Sequence, residues 1–389
     1  LPHPVTHTHS TTAAPHPLRH QTCRPLANSV PHLPWPQVAA HLQNAGRWDF
    51  NMFELEAKSE RHPVVTIALH MIRKLELDQK LPISMSSLIA YLTKLEEGYK
   101  DVPFHNFTHA ADVTHGTTYF LLQPKIQHHF SDLDKYCLIL AAAMHDFEHP
   151  GYSNAFLVNS RHEHAILYND QSVLENFHVS RAWRLMLTEG MDPFTDFSKE
   201  QYAEARSTMV QCILGTDMKF HFEHLSKFKT RVAAGAFDTP DRKDVRLLAT
   251  MCLHAADVSN PAKPWELSKE WSSRVMDEFF KQGDAEAEAG LPISPFMDRA
   301  QTNIATCQVG FINILIKPFF KEWCEFLGVP RRALPTPPHP DVPVSPTPAA
   351  PHGYAFGSAE CAARKLPGRE GSDSLVGVRA VLHRRGGYA

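Results

Sequence analysis

The chain has 389 residues, 43% of them hydrophobic, with a formal net charge of −3. That is enough apolar material for one large domain or two ordinary ones. The near-neutral balance excludes a broad electrostatic footprint for nucleic acid or for an anionic membrane surface.

Residues 1–35 are rich in histidine, proline, threonine and alanine and show neither a 2-residue nor a 3.6-residue period. They read as a disordered tail, whose His3, His7, His9, His16 and His20 fit a solvated arm better than a metal site. From residue 36 to 328 apolar residues recur at helical spacing. Stripes run through Val64, Ile67, Ala68, Met71, Ile72 and Leu75, through Leu88, Tyr91, Leu92 and Leu95, through Tyr136, Ile139, Leu140 and Ala143, and through Val245, Leu248, Cys252 and Ala255. Phe279 and Phe280 and the run Phe311 to Phe320 continue the pattern, and period-2 alternation is scarce. The expectation is an all-α, compact multi-helix domain. Residues 329–389 are Pro-rich and then Gly- and Arg-rich, a second disordered tail or linker. No apolar run reaches the roughly 18 residues that span a bilayer. The chain starts at Leu1, so it is expected to be a fragment. Its seven cysteines include no C-x-x-C pair. Cys137, Cys212, Cys252, Cys307 and Cys324 lie in or beside apolar runs, which suits buried thiols in a reducing compartment.

Three segments carry chemistry. The first, Phe104 to Val113, holds His105 and His109, four apart, which on a helix share a face. Taken alone, such a pair also fits surface or core decoration. The second, Ala141 to Gly151, ends an apolar run on the adjacent pair His145-Asp146. Burying those groups is costly unless they are hydrogen-bonded or coordinated. Both reach one ion most easily near a helix end, although a buried His-Asp hydrogen bond remains open. The third, Leu253 to Pro261, ends a small-residue helix on Asp257, which alone could mark only a turn. Together they give a mixed nitrogen and oxygen donor set suited to zinc or another first-row metal, and Asp146 has a second oxygen for a harder ion.

This H…HD…D pattern resembles the HD metal-dependent phosphohydrolases. The stretch H-D-F-E-H-P-G-Y-S-N-A-F, from His145 to Phe156, is similar to the signature of the class I cyclic nucleotide phosphodiesterases. So are His105 to Val113, Leu167 to His178, Thr216 to Met218, Ala256 to Pro261, Glu278 to Asp284, Ser294-Pro295 and Gln308 to Ile312, in order and spacing, over residues 36–328.

The resemblance implies a first metal, zinc, on His109, His145, Asp146 and Asp257, and a second, magnesium or manganese, on Asp146 and water. His149, Glu175 and Thr216 would hold those waters. It implies a hydroxide between the metals as nucleophile and His105 as the general acid for the leaving O3′, worth on the order of 10²–10⁴-fold. Gln308 would read the purine edge, Phe311 would stack on the base, Val275 and Phe279 would form the opposing wall, and Asn260 would contact the base. By the residues alone, Phe311, Val275 and Phe279 read as core. His115, His164, His178 and His254 read as hydrogen-bonded structural histidines.

Phe104 stands where tyrosine is common in the family. Ser268 stands where cAMP-selective members tend to carry a tyrosine that orients the glutamine, whereas Asn260-Pro261 resembles those members. The implied substrate is a small 3′,5′-cyclic nucleotide, cAMP favoured, with cGMP or dual use open. Another HD nucleotide phosphohydrolase and a non-catalytic cyclic-nucleotide-binding scaffold are the alternatives. The expected setting is the cytoplasm, or the cytosolic face of a membrane if a missing amino terminus carries an anchor, and a homodimer is left open.

Overall fold

The computed structural model describes residues 35–328, and these contain helices and turns but no strand. The tails expected over 1–35 and 329–389 lie outside the described residues, apart from Trp35, which opens the first helix. None of the described helices is long and apolar enough to cross a membrane.

The apolar stripes became helices where they were expected. They form Pro63–Lys74, Met85–Gly98, Asp132–Met144 and Arg242–Asp257, with Val64, Ile67, Met71, Leu92, Tyr136, Leu140, Leu248 and Cys252 in one continuous core. Local chemistry sets several starts. Ser131 and Asp134, and likewise Asp241 and Asp244, exchange side-chain and backbone bonds as capping boxes, which satisfies N–H groups that a helix start leaves open.

Helix Phe107–Leu121 runs through the middle and packs on Pro63–Lys74, Asp132–Met144 and Arg242–Asp257. Thirteen of its fifteen residues are buried. A helix enclosed on every side must satisfy its polar residues internally. Thr114 and Thr118 do so by donating to the carbonyls of Ala110 and Thr114, each at 2.8 Å. Close approach of Arg242–Asp257 depends on Gly116, where an added Cβ would stand 3.1 Å from the Ala256 Cβ.

An ion pair joins helix Phe107–Leu121 to the segment that follows Arg242–Asp257. Lys263 is fully buried and binds the equally enclosed carboxylate of Asp112. Trp48 covers the ammonium, 5.6 Å from its ring centroid, and donates its indole N–H to Ala262 O at 3.1 Å. Asp112 lies one turn beyond His109, and Lys263 lies six residues beyond Asp257. The pair therefore fixes the register between two segments that carry site residues.

The long helix Trp265–Glu288 closes one side of this core. Its Gly283 is required, because a Cβ there would meet Met297 O at 1.9 Å. Helix Ile304–Phe311 then passes into a π-helical segment, Ile312–Ile316, before Lys317–Leu327. Pro318, at the second position of that last helix, has no N–H to give to the preceding turn. The ladder changes register just ahead of it.

Removing one partner of a buried pair leaves the other charge uncompensated. Lys263→Met is expected to lower stability by about 3–5 kcal/mol, and Asp112→Leu/Lys263→Met to recover most of that loss. Denaturant unfolding of the two variants checks this.

Candidate functional site

His109, His145, Asp146 and Asp257 meet in the core between three helices. One donor atom from each lies within 4.8 Å of all the others. His109 Nε2 is 3.1 Å from Asp257 Oδ1 and 3.5 Å from Asp146 Oδ2. His145 Nε2 is 3.1 Å from Asp146 Oδ2 and 3.5 Å from Asp257 Oδ1. The adjacent pair can converge because His145 is the cap residue that ends Asp132–Met144, so Asp146 already lies in the following turn.

The donor geometry suits a cation. His145 Nδ1 donates to Ala142 O at 2.8 Å, which turns Nε2 toward the cluster. His145 Nε2 and His178 Nε2 are buried without a hydrogen-bond partner. Burial opposes ionisation of Asp146 and Asp257, but the histidines around them hold both carboxyls well below their usual range. Two largely enclosed carboxylates and two fully buried imidazoles aimed at one point fit a divalent metal by donor type.

Beside the cluster stands His105. It does not lie on the helix with His109, as their spacing had suggested. Asn106 caps the helix, accepting from the N–H groups of Thr108 at 2.9 Å and His109 at 3.3 Å, so His105 falls in the turn before it. The two rings still come within 5.7 Å of each other. His105 Nδ1 binds Glu278 of helix Trp265–Glu288, whose other oxygen accepts from the N–H groups of Phe104 at 2.9 Å and His105 at 3.1 Å. Burial alone would lower the His105 pKa, but the Glu278 carboxylate overrides it and raises it to about 9. Against its own burial, Glu278 is drawn down to about 2 by the His105 charge. His149 stacks on His105 with centroids 4.0 Å apart. Burial first, and the His105 charge second, hold His149 well below the usual histidine range.

The other expected residues are placed less uniformly. His149 shares a possible donor group with Asp146 and His178. Glu175 receives two bonds from the Asn154 amide, at 3.2 and 3.0 Å, and burial followed by the charge of Asp217 raises its pKa to about 7. Thr216 is buried with its hydroxyl donating to Ile213 O at 2.8 Å. Gln308 lies over helix Trp265–Glu288 and accepts a hydrogen bond from Ser272 Oγ at 3.2 Å. Ser268, one turn before Ser272 and standing where a tyrosine would orient the glutamine in cAMP-selective members, is buried. Val275 and Phe279 pack around Met276, Phe280 and Cys307, whereas Phe311 packs on the main core. Asn260 is buried with its Oδ1 unpartnered.

Glu278, Ser272 and His178 were not assigned from the sequence. Glu278 stood inside a quoted motif, but its partner is 173 residues away. His178 was read as structural, and its Nδ1 does donate to Phe147 O at 2.7 Å. Its Nε2, however, faces Asp146 Oδ1 at 3.8 Å. His254 bonds His221 at 2.9 Å, and His115 and His164 stack on Phe50 and Phe177.

Residues 104–334 match the model of the 3'5'-cyclic nucleotide phosphodiesterase family. The dual specificity calcium/calmodulin-dependent 3',5'-cyclic nucleotide phosphodiesterase 1B of Mus musculus is 39% identical over 291 residues, 74% of this chain and 54% of that protein. The probable 3',5'-cyclic-AMP phosphodiesterase pde-4 of Caenorhabditis elegans is 36% identical over 299 residues, 75% of this chain and 44% of that protein. The crystal structure of the phosphodiesterase domain of Salpingoeca rosetta rhodopsin phosphodiesterase superposes with a TM-score of 0.69 at 30% identity, covering 75% of this chain and 88% of that one. An all-helical domain with a buried His/Asp cluster that could hold a metal is what the fold and site define. The chain belongs to the 3'5'-cyclic nucleotide phosphodiesterase family. It spans about half the length of the relatives it matches.

The geometry predicts separable roles for neighbouring histidine and aspartate side chains. Asp257→Ala is expected to lose bound metal, and His105→Ala to keep it. Metal content of the dialysed proteins measures both, and equal loss would place His105 among the ligands.

Proposed function

We propose that residues 36–328 form a catalytic unit that hydrolyses 3′,5′-cyclic nucleotides to 5′-nucleoside monophosphates. The observation that carries this reading is His105, bound through Nδ1 to Glu278, standing against a four-donor His/Asp cluster that could hold a metal. His109, His145, Asp146 and Asp257 would hold the first ion, assigned as zinc from the mixed donor set. Asp146 would share its second oxygen with magnesium or manganese, with His149, Glu175 and Thr216 around that ion's waters. When bound, the two ions supply water activation and charge neutralisation at the phosphoryl oxygens.

The protein's own groups complete the reaction. Water adds to phosphorus and gives up one proton to solvent, the P–O3′ bond breaks, the departing O3′ takes the proton from His105, and His105 regains one from solvent. An alkoxide is a poor leaving group, so a cationic acid at that position lowers the barrier. Glu278 keeps His105 charged and fixes its ring through Nδ1, which directs Nε2–H outward. His149 remains neutral beneath it, so the stacked pair carries one proton charge.

Gln308 would read the purine edge, with Phe311, Val275, Phe279 and Asn260 lining the base. Ser272 Oγ–H donates to the Gln308 amide oxygen here, but a hydroxyl can equally accept from the amide nitrogen. It supports both amide orientations. This favours acceptance of cGMP beside the preferred cAMP, as in relatives named for dual specificity. The described cysteines are unpaired and mostly buried, which supports a reducing, cytoplasmic setting.

The decisive assay incubates the purified chain with cAMP or cGMP, with and without chelator. Metal-dependent formation of 5′-monophosphate is expected. Turnover of monophosphates alone would instead mark another HD phosphohydrolase, and binding without turnover a scaffold.

The His105 pair makes a second prediction. Glu278→Gln removes the anion that raises the His105 pKa, so the acid loses its proton at lower pH. The alkaline limb of kcat is expected to move down by about 1–2 pH units. A pH–rate profile checks the direction, and an unmoved limb would detach His105 from the proton transfer.

A further inference from the structure

The turn between His145 and Ser153 carries two site residues, Asp146 and His149. Between them, Glu148 has φ +60°, the left-handed region that a residue with a Cβ adopts at a cost. The turn is not held by its own backbone alone. Arg181, on helix Val173–Met186, grips the Glu148 carboxylate with a two-bonded fork, Nε to Oε2 at 2.8 Å and Nη2 to Oε1 at 2.9 Å. One turn earlier on the same helix, His178 donates to Phe147 O at 2.7 Å. One turn earlier again, Glu175 accepts both bonds from Asn154. Residues 175, 178 and 181 are spaced by three, so one helical face presses on the loop at 147, 148 and 154.

We propose that Arg181 is a positioning residue: by clamping the left-handed Glu148, it fixes the turn that aims Asp146 and His149. The proposal rests on the reading of Asp146 and His149 given above. The fork is partly open to solvent, with 41% of the Arg181 side chain and 21% of the Glu148 side chain exposed. Pairs of that exposure add little to global stability. What this one can set is the local backbone conformation, since the planar guanidinium fixes both the position and the plane of the carboxylate. Lysine offers a point charge and no fork. Glycine at 148 would adopt the left-handed conformation without any clamp.

That asymmetry gives the experiment. The full chain is stripped of metal, and Mn²⁺ binding is titrated for the parent, Arg181→Met, Arg181→Lys, Glu148→Gly and Glu148→Gly/Arg181→Met. Melting temperature and kcat and KM for cAMP are read alongside. Arg181→Met is expected to weaken Mn²⁺ binding by about tenfold, the lower end of what losing an outer partner costs a metal site, and to lower kcat with KM little changed. Arg181→Lys falls between. Glu148→Gly stays near the parent, and adding Arg181→Met to it costs nothing further. The inference is overturned if Arg181→Met binds Mn²⁺ as the parent does. It is overturned equally if the loss persists in the Glu148→Gly background, or if it merely tracks a fallen melting temperature. A parent that binds Mn²⁺ but leaves cAMP and cGMP intact would sink the proposed function, while the Mn²⁺ arm would still decide the clamp.

Discussion

Asp146 and Asp257 are two largely enclosed carboxylates, 12% and 18% exposed, brought toward one point, and like charges so placed demand compensation. Much of the surrounding structure answers that demand. Two histidines face them from separate helices, and the Asp112–Lys263 pair locks the helix bearing His109 to the segment that follows Asp257. The close crossing at Gly116 and Ala256 brings those helices near enough for the donors to meet. Without such a frame the carboxylates would separate or take up protons, and the cluster would lose its affinity for a cation.

A second electrostatic arrangement stands next to the first. His105 and His149 stack face to face, yet they differ in charge, because only His105 has an anion at its back. Gly151 N–H donates to His149 Nδ1 at 3.0 Å, which leaves that nitrogen an acceptor and the ring neutral. The position of Glu278 thus decides which of two neighbouring imidazoles holds the proton. In an acid site this ordering matters as much as the pKa itself, because a proton on the wrong ring is out of reach of the leaving group.

The helices were legible because apolar residues every three or four positions have few other ways to be buried. The convergence of His109, His145, Asp146 and Asp257 was legible because these residues lie in compact motifs. What escaped was set by contacts across long sequence separations or by local caps. The His105–Glu278 bond joins a turn and a helix far apart in the chain, and no periodicity encodes it. His105 left the helix because the Asn106 side chain satisfies the first N–H groups, a competition between cap and helix that residue spacing alone does not resolve. Ser272 went unassigned because nothing in its spacing marks it as the partner of Gln308, and only packing brings the two together. His178 looked structural because one of its nitrogens is.

The π-helical segment at Ile312–Ile316 has a consequence for how the base-binding side tolerates change. Such a segment is, in effect, an inserted residue absorbed within a helix. Deleting a single residue there would let the ladder return to regular α-helical spacing. Everything upstream would then rotate by about 100° relative to the anchored Lys317–Leu327. Gln308 and Phe311 would swing away together, while the metal cluster on the other helices stayed put. The fold therefore contains a point where a one-codon loss could turn the Gln308 face away while leaving the His/Asp cluster intact.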